Sequence, residues 1–344
     1  MRITSIDYMR IFVPWKPSYR QAMGRWRAMA GTTPEEEDAF VVIRVHTDEG
    51  ITGLGEGGRS ISKVRAEGEK FIGQNPMGMN LFDLQPPFLH AMVDIAGKAL
   101  DVPACMVLGG KYRDEVPLAF WSPYLSPEET GKHAEEGAEM GFKVHKIKAR
   151  PWDVVEQVEA IAAAGGADYA VRIDPNELFE LPAETMRIDR ALADYNVECF
   201  EDPVPKSRPE WYGLLRLKCV APLAIHTRDT RQIMEIARRD GTDYVNVGGS
   251  PREISAAAEV AGAAGCPVWV QHEAHCLDIT AAFTVHQAAA LPNASRPADM
   301  LVFLRDGHIV KEPLQVAEGE AVVPDRPGLG VELDEEMVEK SRVG

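Results

Sequence analysis

Four charged residues in this chain sit at spacings that suit proton transfer beside a carboxylate. Lys146 and Lys148 are two apart at the end of the β-branched run Val144–Lys148, so both ammonium groups project from one face while His145 and Ile147 project from the other. Two cations so placed repel, and each is expected to lower the other's pKa, burial adding to the effect; a lysine base near neutral pH needs that. Asp174 and Glu201 end the next two such runs, Ala170–Ile173 and Val197–Phe200, and Asn176 shares a face with Asp174. Hard carboxylate oxygens suit Mg²⁺ or Mn²⁺. A carboxylate at a strand end can also cap the following helix, and paired lysines can lie along an edge, so each residue alone carries two readings. His272 and His275, just past the run Pro267–Val270, are candidate proton carriers opposite Lys148, with His272 preferred.

Something must bring these positions together. Runs at Val116–Phe120, Val144–Lys148, Ala170–Ile173, Val197–Phe200, Pro222–Ile225, Tyr244–Val247, Pro267–Val270 and Met300–Leu304 read as buried strands, with helical patterns such as Trp152–Ala164 and Pro182–Tyr195 between them. Strands recurring every ~22–33 residues suit a parallel βα repeat closed into a barrel, whose C-terminal strand ends gather side chains at one mouth. Ser126-Pro127-Glu128-Glu129 offers a helix start, and Gly141, Gly165 and Gly241 lie where helices should stop.

Ahead of the barrel, residues 3–14, 39–47 and 51–55 read as an antiparallel meander turning at Asp48-Glu49-Gly50. Phe88–Leu100 has helical spacing and is followed by Pro103 and Gly109-Gly110. Trp15–Glu37, rich in Arg, Met and Gly, reads as a mobile loop rather than core. After Asp306-Gly307 short strands and the turn Pro327–Gly330 are expected to return to the N-terminal lobe. The boundaries are set at 1–114 for an α+β lobe, 115–306 for the barrel and 307–344 for the returning segment.

Composition narrows the partners. A formal charge of −16 without a Lys/Arg-rich run argues against nucleic acid and anionic membranes, leaving small molecules. Cys105, Cys199, Cys219, Cys266 and Cys276 are scattered without CxxC spacing and read as reduced thiols, which fits the cytoplasm. The N-terminus lacks a long apolar segment, and no apolar run approaches membrane-spanning length.

In order and spacing, a set of motifs resembles the enolase superfamily, in its mandelate racemase/muconate lactonizing branch, over nearly the whole chain. The motifs are Asp94-Ile95-Ala96-Gly97-Lys98-Ala99 with Pro103 and Leu108-Gly109-Gly110, Gly141-Phe142 leading to Lys146-x-Lys148, Asp174-x-Asn176, Phe200-Glu201-Asp202-Pro203, the helix near His286–Asn293, and Pro327-Gly328-Leu329-Gly330. The resemblance implies an α/β fold: a modified TIM barrel, (β/α)₇β, with an α+β capping domain formed by both chain ends. It implies Mg²⁺-assisted removal of the proton α to a carboxylate, and a homo-oligomer. Arg25, Trp26 and Arg27 fall in the loop that in relatives folds over the mouth, where they would contact the distal end of a small carboxylate substrate.

Two positions depart from the family pattern. Thr227 stands where a third acidic metal ligand is usual, with His226 before it and Asp229 after, so that either neighbour substitutes or the metal becomes Mn²⁺ or another divalent ion. Gly248 stands where relatives carry a lysine, or an aspartate that orients the strand-seven histidine; Asn246 is the candidate replacement. Without a second lysine the expected reaction is dehydration of an acid sugar or related 2-hydroxy acid to a 2-keto-3-deoxy product. Lys148 would act as base, tuned by Lys146, and a histidine as acid. A racemase or epimerase, or a ligand-binding protein without catalysis, are the alternatives.

Overall fold

The computed structural model describes residues 1–29, 39–271 and 276–343, the backbone alone for 26–29. The N-terminal meander forms as β1 (Ile3–Ile11), β2 (Phe40–Thr47) and β3 (Thr52–Glu56), antiparallel in the order β1-β2-β3. Helix α3 (Phe88–Leu100), after α2 (Ile61–Gly68), lies directly on β3. Two glycines permit this approach: a Cβ at Gly53 would stand 2.3 Å from the Ala91 carbonyl oxygen, and one at Gly55 2.1 Å from that of Pro87.

The segment expected as a loop corrects that reading, because Pro17–Met29 is helical (α1). Trp15, Tyr19, Ala22 and Met23, spaced as one helical face, are buried. The Tyr19 ring packs edge-on to Phe120 at 6.5 Å, and its hydroxyl donates to Glu136 Oε2 at 2.7 Å. Arg20, Gly24 and Arg25 between the apolar positions hid the stripe; these three take the solvent side.

After the short α4 (Ala104–Val107), eight parallel strands follow: β4 (Glu115–Ser122), β5 (Val144–Lys148), β6 (Ala170–Asp174), β7 (Val197–Glu201), β8 (Leu223–Thr227), β9 (Tyr244–Val247), β10 (Val268–Val270) and β11 (Ala298–Asp299). They pair in the order β10-β9-β8-β7-β6-β5-β4-β11. The gap between β10 and β11 is bridged by the Arg296 N–H donating to the Val268 carbonyl at 3.1 Å. Helices α5 (Pro127–Glu139), α6 (Val154–Gly165), α7 (Pro182–Ala191), α8 (Pro209–Lys218), α9 (Thr230–Ala237), α10 (Pro251–Ala263) and α11 (Asp278–Ala289) link successive strands, making a nearly closed (β/α)₇β barrel. Ser126 starts α5 with a reciprocal capping box to Glu129.

The eighth strand is a second correction. Met300–Leu304 is not strand: Val302–Leu304 is a 3₁₀ turn, and only Ala298–Asp299, just upstream, pairs with β4. A short apolar run buried on every side reads alike in either conformation.

Beyond the barrel, β12 (Glu320–Val322) pairs antiparallel with β4, and α12 (Glu335–Lys340) precedes a bridge from Arg342 to Ile11. Asp94 in α3 ties this tail to β3, accepting from Leu329 N at 2.8 Å and Leu54 N at 2.9 Å. Glu56, ending β3, accepts from Leu277 N at 2.6 Å and Thr280 N at 3.1 Å, fixing the sheet to the start of α11. Beside this tie lies a cavity of about 350 Å³ lined by Phe40, Glu56, Gln85, His90 and Thr280. The five cysteines form no disulfide among the described residues, and no helix among the described residues is long and apolar enough to cross a membrane.

Candidate active site

Strand register brings the chemistry together. Lys146 is paired with Arg172 and Lys148 with Asp174, so β5 and β6 present four charged side chains at every second position, three cationic and one anionic, to the barrel interior. Lys148 Nζ meets Asp174 Oδ2 at 2.5 Å. Lys146 Nζ, buried, stands 2.8 Å from Glu201 Oε2 and 3.4 Å from both Asp174 Oδ2 and Asp299 Oδ1. His145, on the opposite face, is buried outside the mouth with its Nε2 2.7 Å from Ser122 Oγ.

The Lys146 environment overturns one expectation. Burial does press its pKa downward, but the carboxylates of Asp299, Glu201 and Asp174 more than compensate, and the ammonium is held well above the usual lysine range. It is a fixed positive charge. Asp174 is held correspondingly low, because Lys148 and Lys146 outweigh the cost of its burial.

Each partner of these groups is accounted for by its strand. Asn176, with φ +49°, donates its backbone N–H to Asp174 Oδ1 at 2.9 Å, and its side chain is exposed. Asn246, buried on β9, donates Nδ2 to Glu201 Oε1 at 2.8 Å, so it orients a carboxylate. Asp202 accepts from the His226 backbone N–H at 2.9 Å and pairs with Lys206, which also donates to the His226 carbonyl at 3.0 Å; together they anchor the end of β8.

At the departing positions, Asp229 caps α9, its Oδ1 accepting from Arg231 N at 2.9 Å, and Thr227 Oγ1 accepts from Asp229 N at 3.0 Å. The His226 ring hydrogen-bonds Gln271, and burial lowers its pKa. A Cβ on Gly248 would stand 2.2 Å from Gln271 Oε1 and 3.3 Å from His226 Nε2, so the space a side chain would take there holds the Gln271 amide. Among the described residues no three His, Cys, Asp or Glu side chains converge as a metal cage. Asp174 and Glu201 nevertheless fit a hard divalent ion. Glu201 Oε2 is buried with the Lys146 ammonium 2.8 Å away as its ion-pair partner, a place a cation already favours, and Mg²⁺ commonly takes one or two carboxylates, the rest of its shell coming from ligand and water.

Other predicted residues lie elsewhere. Arg25 is exposed on α1, 3.3 Å from Glu129 at the start of α5. The side chains of Trp26 and Arg27, and His272 and His275 entirely, fall outside the described residues.

Below the mouth is a charged layer that sequence reasoning missed. Arg172 grips Glu198 through Nε at 2.6 Å and Nη2 at 3.1 Å and stacks on Trp269 at 3.8 Å; Arg296 holds Glu198 Oε1 at 2.5 Å. Arg172 Nη1 is also 3.7 Å from Asp299, linking this layer to Lys146. The register slip between Val171 and Arg172 leaves Glu198 between two paired residues of β7, within reach of Arg172. The available signal was an arginine two residues before Asp174 in an otherwise apolar strand. Asp299 was obscured by the apolar run that follows it.

Comparison with known proteins agrees with this architecture. The family described as Enolase C-terminal domain-like matches residues 129–337. N-succinyl-L-Arg/Lys racemase of Bacillus cereus is 26% identical over all of this chain and 98% of its own length. D-xylonate dehydratase of Haloferax volcanii is 27% identical over 88% of this chain and 85% of its own, and muconate cycloisomerase 1 of Rhodococcus opacus is 27% identical over 89% and 92%. The crystal structure of the Bacillus cereus racemase superposes with a TM-score of 0.78 at 22% identity, covering 100% of this chain and 99% of the other.

Proposed function

The chain belongs to the Enolase C-terminal domain-like family, within the mandelate racemase/muconate lactonizing branch of the enolase superfamily, and from that premise we propose that it dehydrates an acid sugar or related 2-hydroxy acid. The observation that carries proton abstraction is the convergence of Lys146, Lys148, Asp174 and Glu201 at one barrel mouth. Dehydration is favoured over two-lysine racemisation because Gly248, with Gln271 filling its side-chain space, leaves the opposite wall without a second lysine.

Lys148 removes the proton α to the substrate carboxylate. Lys146, whose charge is fixed by three carboxylates, faces the negative charge that develops on the substrate oxygens; an ammonium held in a buried site needs no reorganisation to stabilise it. Asp174 and Glu201 would hold a divalent ion, Mg²⁺ by the hardness of their oxygens, which when bound supplies Lewis-acid polarisation of that carboxylate. Asn246 keeps Glu201 in orientation. His272 or His275, following β10, protonates the β-hydroxyl as it leaves as water.

The test is incubation in D₂O with Mg²⁺ and a panel of acid sugars and 2-hydroxy acids, following α-proton exchange by NMR and 2-keto acid formation. Keto-acid formation lost in Lys148→Ala supports dehydration. Exchange without loss of water would assign the chain to the racemases and epimerases, and unchanged turnover in Lys148→Ala would refute the mechanism.

A further inference from the structure

A groove of about 720 Å³ lies between the turn that follows β5 and the start of α7, apart from the mouth: none of Lys146, Lys148, Asp174 and Glu201 lines it. Its size suits a small organic ligand. Trp152, Leu178 and Leu181 form its walls, large apolar side chains left 69%, 43% and 56% exposed. The loop carrying the two leucines has an unusual backbone, with Asn176, Glu177 and Glu180 all left-handed although none is glycine. Such conformations cost energy and cluster at ligand clamps.

Arg150, two residues beyond β5, lines the same groove and is only 8% exposed. Among the described residues it has no carboxylate within ion-pair distance. Its guanidinium makes one hydrogen bond, from Nη1 to the Ala149 carbonyl at 2.7 Å, and stacks on the Tyr124 ring at 5.0 Å. Asp153, in the same turn, is engaged by Tyr124, whose hydroxyl donates to Oδ2 at 2.5 Å. Burial pulls the Arg150 pKa down, and Tyr124, Asp153 and Asp174 raise it by less. A buried guanidinium is ordinarily neutralised, as Arg172 is by Glu198, because an unpaired buried charge is costly. For Arg150 the groove is the open side from which a counter-ion can arrive. The other charges there suit a single negative one: Arg187 and Glu184 pair at 2.6 Å, leaving Arg150 and Arg190 against Glu180, a net positive patch on a chain of charge −16. Helix α7 adds to the field, since its N-terminus meets the groove at Leu181 and Ala183 without a side-chain cap.

We propose that this groove is a second binding site, for a monocarboxylate carried on an apolar body, with the carboxylate on Arg150 and the body along Trp152, Leu178 and Leu181. The planar guanidinium fork matches a carboxylate. A dianionic head such as a phosphate ester is disfavoured by Glu180 and Glu184, which line the same groove. The site is independent of the reaction proposed for the mouth.

The experiment titrates the full chain with 4-phenylbutyrate, followed by calorimetry and by tryptophan fluorescence, and repeats the titration with the neutral amide of the same acid. The acid should bind at a single site, about tenfold or more tighter than the amide. Arg150→Gln should weaken the acid by about tenfold or more and bring it level with the amide. Trp152→Phe should remove most of the fluorescence response while calorimetry still reports binding, and Lys148→Ala should leave the affinity unchanged. Should Arg150→Gln not fold, Leu181→Asp at its exposed position takes its place, setting a negative charge in the groove and weakening the acid by about tenfold. Equal binding of acid and amide, or full affinity in the variant, overturns the assignment. Loss of binding in Lys148→Ala overturns it as well, because the ligand then sits in the mouth, and so does absence of binding at millimolar acid.

Discussion

Arg172→Met tests whether the charged layer beneath the mouth stabilises the fold as its geometry requires. Burial would push the Glu198 carboxyl upward, but Arg172 first and then Arg296 pull it from an ordinary 4.5 down to about 2. Between folded and unfolded chains that gap corresponds to about 3 kcal/mol. Methionine keeps much of the arginine stem but removes both bonds to Glu198 and the stacking on Trp269, while Arg296 still holds Oε1. Removing one partner of a buried pair costs about 3–5 kcal/mol, and the remaining arginine places this variant at the lower end, about 3 kcal/mol at pH 7. Arg172→Met combined with Glu198→Gln should recover a substantial part, since no buried charge is then left unpaired. The pH dependence has a fixed sign: a carboxyl depressed by folding contributes fully above about pH 4.5, and the contribution fades as pH falls toward 2. The stability gap between parent and variant should therefore narrow on acidification. Urea unfolding followed by circular dichroism, at pH 7 and at steps below pH 5, measures all of this. A cost under about 1 kcal/mol, or a gap that does not narrow in acid, would refute the reasoning.

Two further substitutions probe the mouth and the cap. Gly248→Ala places a Cβ 2.2 Å from Gln271 Oε1, so the amide must leave its position beside His226; kcat/KM should fall by about 10- to 100-fold with little change in Tm, and unchanged kinetics would remove Gln271 from the site. Asp94→Asn weakens a carboxylate that holds Leu54 N, Leu329 N and, at 2.7 Å, Lys98 Nζ; thermal unfolding should show a loss of about 2 kcal/mol while turnover at 25 °C persists.

Much of this protein was legible in the linear chain, because strand-end chemistry and βα periodicity are local. Seven of the barrel strands lie where β-branched runs stop at turn residues, and Lys146, Lys148, Asp174 and Glu201 follow from their places at those ends. The two misread segments share a cause. Trp15–Met29 and Met300–Leu304 take their conformation from what covers them: Tyr19 against Phe120 and Glu136 for the first, burial on every side for the second. Pattern shows which residues are apolar, not which surface waits for them.

Spacing along β5 identified two lysines that share a face, and like-charge repulsion was the only interaction the sequence could supply for them. What Lys146 meets is decided by β6, β7 and β11, which bring Asp174, Glu201 and Asp299 from positions up to 153 residues away and hold its charge in place. The same holds at Gly248, which the sequence marks as a missing lysine and the fold fills with Gln271 from the neighbouring strand's end. Residue type and period determined the fold class and the chemical groups available. Which charges stand within 3–4 Å of one another, and so which of them carry protons, was decided only when the barrel closed.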